Sequence, residues 1–411
     1  MKVWIKLLIG SLLGLILGFV VPQDNLTIVG AIDWLAKLAI QIGRYSLVPT
    51  LAFSLVIAIY ELRQDKEMWP LIFRTAGIIA VSSVFIIGSG MLVTLLFPPA
   101  RIPILIEGQK ESLSLDISQG LLQLLPSNML ASLVTDGNFL LPIWIFAIFL
   151  GAGFSYDRVY TKPVISLVDS LSRIFYYIAI FFSEILGIFM IGIGAFWAVR
   201  FQTALKAQVF RDIIVLLAIY ALLLCFVILP LFLYLLGGKR SNPWKQLYGA
   251  LGPAIAGLFS GDLNFTLPLL IRHAKENHGV QRRSNALSLV LFSTFARAGS
   301  AMVAAISLIV IIKSYSSLGI SARDLFTILL FAGVISVLLP RHPGNGAYIA
   351  LAVLCGWYGK GFETGYLILK PIAFYLVAIG TMIDVMVASL GTYAVGVLSG
   401  FQQDRETRHF I

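Results

Sequence analysis

Cysteine and charge are both scarce in this chain of 411 residues. The two cysteines, Cys225 and Cys355, sit in apolar runs and suggest no disulfide framework or metal centre. Charged residues make up 12% of the chain, against about 25% in an ordinary soluble domain. No glycine-rich turn precedes a lysine and a hydroxyl in Walker order, which argues against a pump driven directly by ATP. What fills the space is apolar: 59% hydrophobic residues at a mean hydropathy of +0.92. No soluble core could hide that much surface, so lipid is its natural solvent. A cytosolic enzyme, a secreted disulfide scaffold and a disordered chain are all excluded. The formal charge of +10 does not indicate nucleic acid, because the basic residues sit at the ends of apolar segments, as membrane topology places them.

Long apolar stretches run from Ile28 to Tyr60, Trp69 to Phe97, Phe139 to Tyr156, Val164 to Val199 and Ile213 to Leu236. Leu287 to Ile312 and Tyr366 to Leu398 follow. Met1 to Pro22 has the outline of a signal peptide but no small-x-small cleavage site, and reads as a first span. The polar insert Pro98 to Ser118 contains nothing that looks catalytic. Two further stretches are broken in the middle. Trp244 to Ile271 is interrupted over Ser260 to Pro268, and Leu325 to Trp357 over Pro340 to Gly346. Each has the punctuation of a helical hairpin that dips into the membrane and returns. Paired interruptions of this kind point to a transporter's binding site. With Lys2 and Lys6 inside, the loop charges favour a cytoplasmic N-terminus and place the two hairpins in opposite orientations.

A charge in the bilayer needs a partner or a function. Arg297 and Asp384 each lie in a long span that follows a broken segment. They are expected to pair, either as a structural link between helices or as part of a site. Asp262 is open to two readings, a helix cap or a site residue. Arg341 and His342, at a Pro/Gly-rich turn, are either solvated or placed to close over an anion. Asp169 and Arg173, four apart in one span, are expected to pair with each other. His273 and His278 fall in a basic, cytoplasmic segment with no carboxylate pattern of a metal site.

At the broken segments the chain resembles the dicarboxylate/amino acid:cation symporters, the glutamate-transporter family. Pro49-Thr50-Leu51-Ala52-Phe53-Ser54-Leu55-Val56 looks like the family's second-span Pro…Phe-Ala-Ser-Leu-Val. Leu125-Pro126-Ser127-Asn128 and Leu141-Pro142, continuing to Phe146-Ala147-Ile148-Phe149-Leu150-Gly151, resemble its Pro-Thr-Asn and Leu-Pro…Phe-Ala-Ile-Leu-Gly. Thr266-Leu267-Pro268 is similar to the end of its first-hairpin motif, and Pro343-Gly344-Asn345-Gly346 to its second-hairpin Pro-Gly-Ala-Gly. The resemblance covers nearly the whole chain. It implies an all-α polytopic membrane protein of glutamate-transporter-like fold, with inverted repeats, an established property of that family, and two re-entrant helical hairpins. Residues 1–240 would be mainly scaffold and oligomerisation spans, with about 69–97 contributing to the mobile part. Residues 241–411 would form the transport domain: hairpins at about 244–276 and 322–360, and spans at about 281–314 and 364–400.

The family's functional residues are mostly replaced. Its three hairpin serines correspond to Asp262, Leu263 and Asn264, and its seventh-span Asn-Met-Asp-Gly-Thr to Ala296, Arg297, Ala298, Gly299 and Ser300. The last-span aspartate that holds the substrate amine falls at Thr381, and the arginine that holds the distal carboxylate falls at Asp384. Ala388 and Thr392 stand where the final asparagine and aspartate would be. Alanines offer no oxygen to a hard cation, so ordinary sodium coupling is not expected.

The candidate substrate-binding residues are Asp262, Asn264, Thr266, Arg297, Ser300 and Arg341, with His342, Gly344, Thr381 and Asp384. His342 and Asp384 are the candidates for coupling to a proton. The expected activity is secondary active transport, of elevator type, of a small anionic or zwitterionic solute such as an amino acid or dicarboxylate. The alternatives are an uncoupled uniporter or exchanger of the same fold, and a non-transporting sensor or channel-like protein. The chain is expected not to be an enzyme and to need no cofactor or metal. Expected partners are the carboxylate or amino-acid substrate, membrane lipid and two further copies in a homotrimer, and no nucleic acid. The expected location is a bacterial inner membrane.

Overall fold

The computed structural model describes residues 1–22, 25–103, 122–126, 128–134, 137–206, 208–237, 242–316 and 320–411. Most of the polar insert lies outside these, as do Ser127, Lys239 and Arg240. Among the described residues there is no strand. The long helices of the chain fall between Val3 and Leu398, and among the described residues seven stretches are long and apolar enough to cross a membrane. It is an integral, multi-pass membrane protein.

The first half comprises α1 (Val3–Val20), α2 (Leu26–Arg44), α3 (Leu47–Gln64), α4 (Met68–Leu96), α5 (Leu141–Gly153) and α6 (Arg158–Lys206). The stretch Ile28 to Tyr60 is not one helix, because it turns at Tyr45 and Ser46. Pro49 falls in the first turn of α3, where a missing N–H costs nothing, so the chain restarts there rather than running through. Helix α6 has 49 residues, about 73 Å at 1.5 Å per residue, far beyond a hydrocarbon core of about 30 Å. It packs along α1 through a seam of small residues. A Cβ on Gly18 would lie 2.7 Å from the Ala198 methyl, and one on Gly14 would lie 2.9 Å from the Ala195 nitrogen. Close backbone approach of this kind is how helices associate in lipid, where burying apolar side chains gains little.

The span Ile213 to Leu236 is α7 (Arg211–Leu223) and α8 (Leu229–Gly237), joined by a π turn over Leu224–Ile228. That turn accommodates Pro230, whose nitrogen cannot donate. The second half holds α9 (Pro243–Ser260), α10 (Leu263–Glu276), α11 (Arg282–Phe295) and α12 (Ala298–Tyr315), then α13 (Ala322–Leu338), α14 (Gly346–Tyr358) and α15 (Ala373–Leu398). The centre of the molecule is α11–α12 and α15. Their most apolar windows are 94% and 83% buried, against 33% for α1, so protein rather than lipid surrounds them.

Two helix–turn–helix pairs, α9–α10 and α13–α14, flank this centre. The break in the first is shorter than its sequence suggests: only Gly261 and Asp262 leave the helix. Gly261 adopts the left-handed conformation (φ 62°) that closes α9, and the Asp262 side chain caps α10 by accepting from the Phe265 N–H at 2.9 Å. Pro268 is carried inside α10. The second turn covers residues 339–345, and Asn345 is left-handed (φ 63°) ahead of α14. The turns meet. Asp262 and Gly344 form an isolated antiparallel bridge, and the Leu263 N–H donates to the Pro343 carbonyl at 3.1 Å.

Candidate functional site

The span that begins at Arg282 is broken at Ala296 and Arg297, which separates α11 from α12 and exposes backbone N–H groups at the start of α12. Asp384, midway along α15, fills that gap. Its Oδ1 accepts from the N–H groups of Gly299 (2.7 Å) and Ser300 (3.2 Å). Its Oδ2 accepts from the Ser300 hydroxyl (2.6 Å) and from Arg297 Nε (2.9 Å). A carboxylate at a helix N-terminus is favoured by the helix dipole as well as by these bonds. The pair is sealed from solvent, with side-chain exposures of 1% for Arg297 and 0% for Asp384. Arg297 and Asp384 therefore interact as their sequence positions suggest.

The Arg297 guanidinium reaches one step further. Its Nη2 donates to the Pro343 carbonyl at 3.4 Å, the same oxygen that accepts from Leu263. A side chain at Gly346 would run into that guanidinium and the Ser300 hydroxyl, so the close approach of α14 depends on glycine. One peptide group of the second turn is thus bonded both to the first turn and to the break in the central span.

The remaining candidates divide by what their side chains touch. Asp262 caps α10 and is also paired with Arg44 of α2, whose Nε is 3.2 Å from Oδ1 and whose Nη2 contacts Oδ2. Arg44 Nη1 continues to Asn138 Oδ1 at 2.5 Å. Asn264 donates to the Gly137 carbonyl at 2.6 Å, and Thr266 donates to the Leu263 carbonyl at 2.7 Å within its own helix. Thr381 is buried, and among the described residues its hydroxyl has no hydrogen-bond partner. Arg341 lies 5.8 Å from the centre of the Phe139 ring. Among the described residues no carboxylate pairs with Arg341 or with His342.

Arg44 is the participant that sequence reasoning passes over. Its signal was available: a charge inside the apolar stretch from Ile28 to Tyr60 meets the criterion that singles out Arg297 and Asp384. His273 and His278 are both buried, each 1% exposed. His278 bonds to Gln246 at 2.6 Å and Ser389 at 3.0 Å, and His273 Nδ1 lies 2.9 Å from the Leu269 carbonyl. The amphipathic α10 turns its basic end into the protein, and both imidazoles are held in the packing between α9 and α15. Asp169 does bond Arg173 at 3.1 Å, but it also meets Arg282 at 2.6 Å.

The chain carries the signature of the Sodium:dicarboxylate symporter family over residues 3–398. It is similar to Neutral amino acid transporter A of Homo sapiens, 28% identical over 166 residues, which are 38% of this chain and 31% of that protein. It is similar also to Excitatory amino acid transporter 1 of Rattus norvegicus, 27% identical over 174 residues, 42% of this chain and 31% of that one. The matched stretch thus spans about a third of each curated relative's length. The family signature covers nearly all of this chain. The chain belongs to the sodium:dicarboxylate symporter family.

Proposed function

We propose that the protein is a secondary active transporter of a small organic anion, a dicarboxylate or an acidic amino acid, and that its transport does not require sodium. The relatives' names, neutral and excitatory amino acid transporters, support an amino acid as solute, and the family's description supports a dicarboxylate. The observation that carries the coupling argument is Arg297. Its guanidinium is a tethered cation, buried between Asp384 and the carbonyl of the second turn. It supplies there the positive field that a bound cation would otherwise bring, and Ala296, Ala298 and Ala388 offer no side-chain oxygen nearby.

Charge matching favours a solute of net negative charge over a neutral zwitterion. Asp384 is saturated by Arg297, Ser300 and Gly299, and Asp262 is held by Arg44 and its helix cap. Arg341 and His342 retain positive or protonatable groups beside Gly344, with the unpartnered Thr381 hydroxyl as a further donor. Imidazole is the side chain whose unperturbed charge change falls near neutrality, so His342 is our candidate for proton coupling, with Asp384 as the other. In this reading both hairpins re-enter the membrane, residues 241–411 move with the solute, and residues 1–240 are mainly scaffold. The assembly is an elevator-type homotrimer in a bacterial inner membrane, with the N-terminus in the cytoplasm.

Uptake of labelled dicarboxylates and acidic amino acids into proteoliposomes tests the proposal. With sodium replaced by potassium or choline at constant pH, uptake is expected to persist. Its abolition would refute sodium independence, and binding without accumulation or exchange would refute transport itself.

A further inference from the structure

Between the two halves of the molecule lies a second cavity, away from Asp384, of about 250 Å³. It is enclosed by α3 and α6 on one side and by α10 and α11 on the other. Its lining includes three cations, Arg173, Lys275 and Arg282. Asp169 is shared between Arg173 and Arg282, and Glu61 also meets Arg282 at 3.1 Å. Lys275 has no carboxylate partner among the described residues. It is exposed, and its ammonium sits 4.1 Å from the centre of the Tyr176 ring. Its base is only partly covered, and that partial desolvation, with smaller contributions from Arg282, Arg173 and Arg405, lowers its pKa from the usual lysine value against the opposing effect of Glu276.

The inner wall is different in kind. Thr50 donates its hydroxyl proton to the Ser46 carbonyl at 2.6 Å, and Ser54 donates to the Thr50 carbonyl at 2.6 Å. Thr50 also lies 3.2 Å from the Phe175 carbonyl, so the hydroxyl protons of these two lining residues are committed and only acceptor capacity remains. Asn285 is 3% exposed. Its Nδ2 is committed to the Ile271 carbonyl at 2.9 Å, which fixes the amide orientation and leaves a buried Oδ1 with no donor. A simple anion would satisfy the cations and leave these acceptors empty.

We propose that this cavity binds a phosphate ester of a polyol, with the phosphate on Lys275 and Arg173 and the hydroxyls donating to Asn285, Thr50 and Ser54. Such a group is found in the headgroup of an anionic phospholipid and in a soluble sugar or glycerol phosphate. The volume is below the 300–1,000 Å³ of drug-sized sites and suits a headgroup.

The test uses the full chain in nanodiscs of phosphatidylcholine, with phosphatidylglycerol or phosphatidylmethanol added, or with soluble glycerol 3-phosphate supplied instead. Phosphatidylglycerol is expected to raise the unfolding midpoint by roughly 2–4 °C through ligand linkage, and phosphatidylmethanol, which lacks the hydroxyls, by less. The shift should disappear in Lys275→Gln with Arg173→Gln and persist in Lys66→Gln with Lys162→Gln, which removes as much charge elsewhere. A shift with the lipid alone assigns the site to a headgroup, and a shift with glycerol 3-phosphate as well assigns it to the free ester too. No shift with either probe, or an equal shift in the Lys275 and Arg173 variant, overturns the site. An equal response to phosphatidylmethanol overturns the polyol. Should the double variant not fold, Lys275→Gln alone, at an exposed position, carries the same expectation.

Discussion

Arg44 and Asp262, 218 residues apart in sequence, form an ion pair that joins α2 to the turn of the first hairpin. The side chains are 17% and 6% exposed, so the pair is neither a surface bridge nor a sealed one. Its loss should cost more than the ~1 kcal/mol of an exposed pair and less than the ~3–5 kcal/mol of a buried one. Arg44→Ala and Asp262→Ala are each expected to lower thermal stability, and the double change by less than the sum. Asp262→Asn, which keeps the cap but not the charge, should behave like Arg44→Ala. Strict additivity in the cycle would show that the pair contributes nothing.

Arg297 and Asp384 should couple more strongly. Each single alanine substitution strands a buried charge, at a typical cost of about 3–5 kcal/mol. The expected result is that Arg297→Ala with Asp384→Ala is more stable than either single variant. Denaturant or thermal unfolding of the four proteins in detergent measures it, and a double variant less stable than both singles would contradict the structure.

Glycine substitutions separate packing from propensity. A Cβ on Gly299 would lie 2.6 Å from the Gly380 carbonyl oxygen and 2.6 Å from the Ile383 Cβ. Gly299→Ala should therefore destabilise by about 1–3 kcal/mol through overpacking, and disturb the Asp384 cap as well. Gly30, in the helix α2 with open space around it, should gain about 0.5–1 kcal/mol on conversion to alanine. Equal effects at the two positions would rule out the steric account.

The second turn is testable through its cations. Arg341→Gln should weaken binding of an anionic solute by about 1.5–3 kcal/mol, the worth of a charged hydrogen bond, and His342→Gln should flatten the dependence of uptake on pH between 5 and 8. Affinity and uptake unchanged in both variants across that range would remove the turn from the site.

The parts of this arrangement legible in the sequence are those whose cause is local. Apolar runs mark the spans, Gly261-Asp262 and Pro343-Gly344 mark the turns, and a charge such as Arg297 in an apolar span announces a buried partner. The rest depends on how distant segments meet. Nothing near Asn264 indicates that its amide is tied to the Gly137 carbonyl, 127 residues away. The depth at which His273 and His278 lie is set by the packing of α9 and α15 around α10, on which their basic neighbours in the sequence carry no information. The break between α11 and α12 falls among the small residues Ala296, Ala298 and Gly299, but its filling by Asp384 follows only from the register of α15.

The Pro343 carbonyl acts as a keystone. Leu263 and Arg297 both lean on this single oxygen, one from each side. In the transport cycle proposed above, lifting the second hairpin deprives two donors at once, one of them charged and sealed from water, so partial opening should be the least favourable state. Such an opening should behave as a switch with two settings, its rate governed by how quickly water or a solute can replace one peptide oxygen.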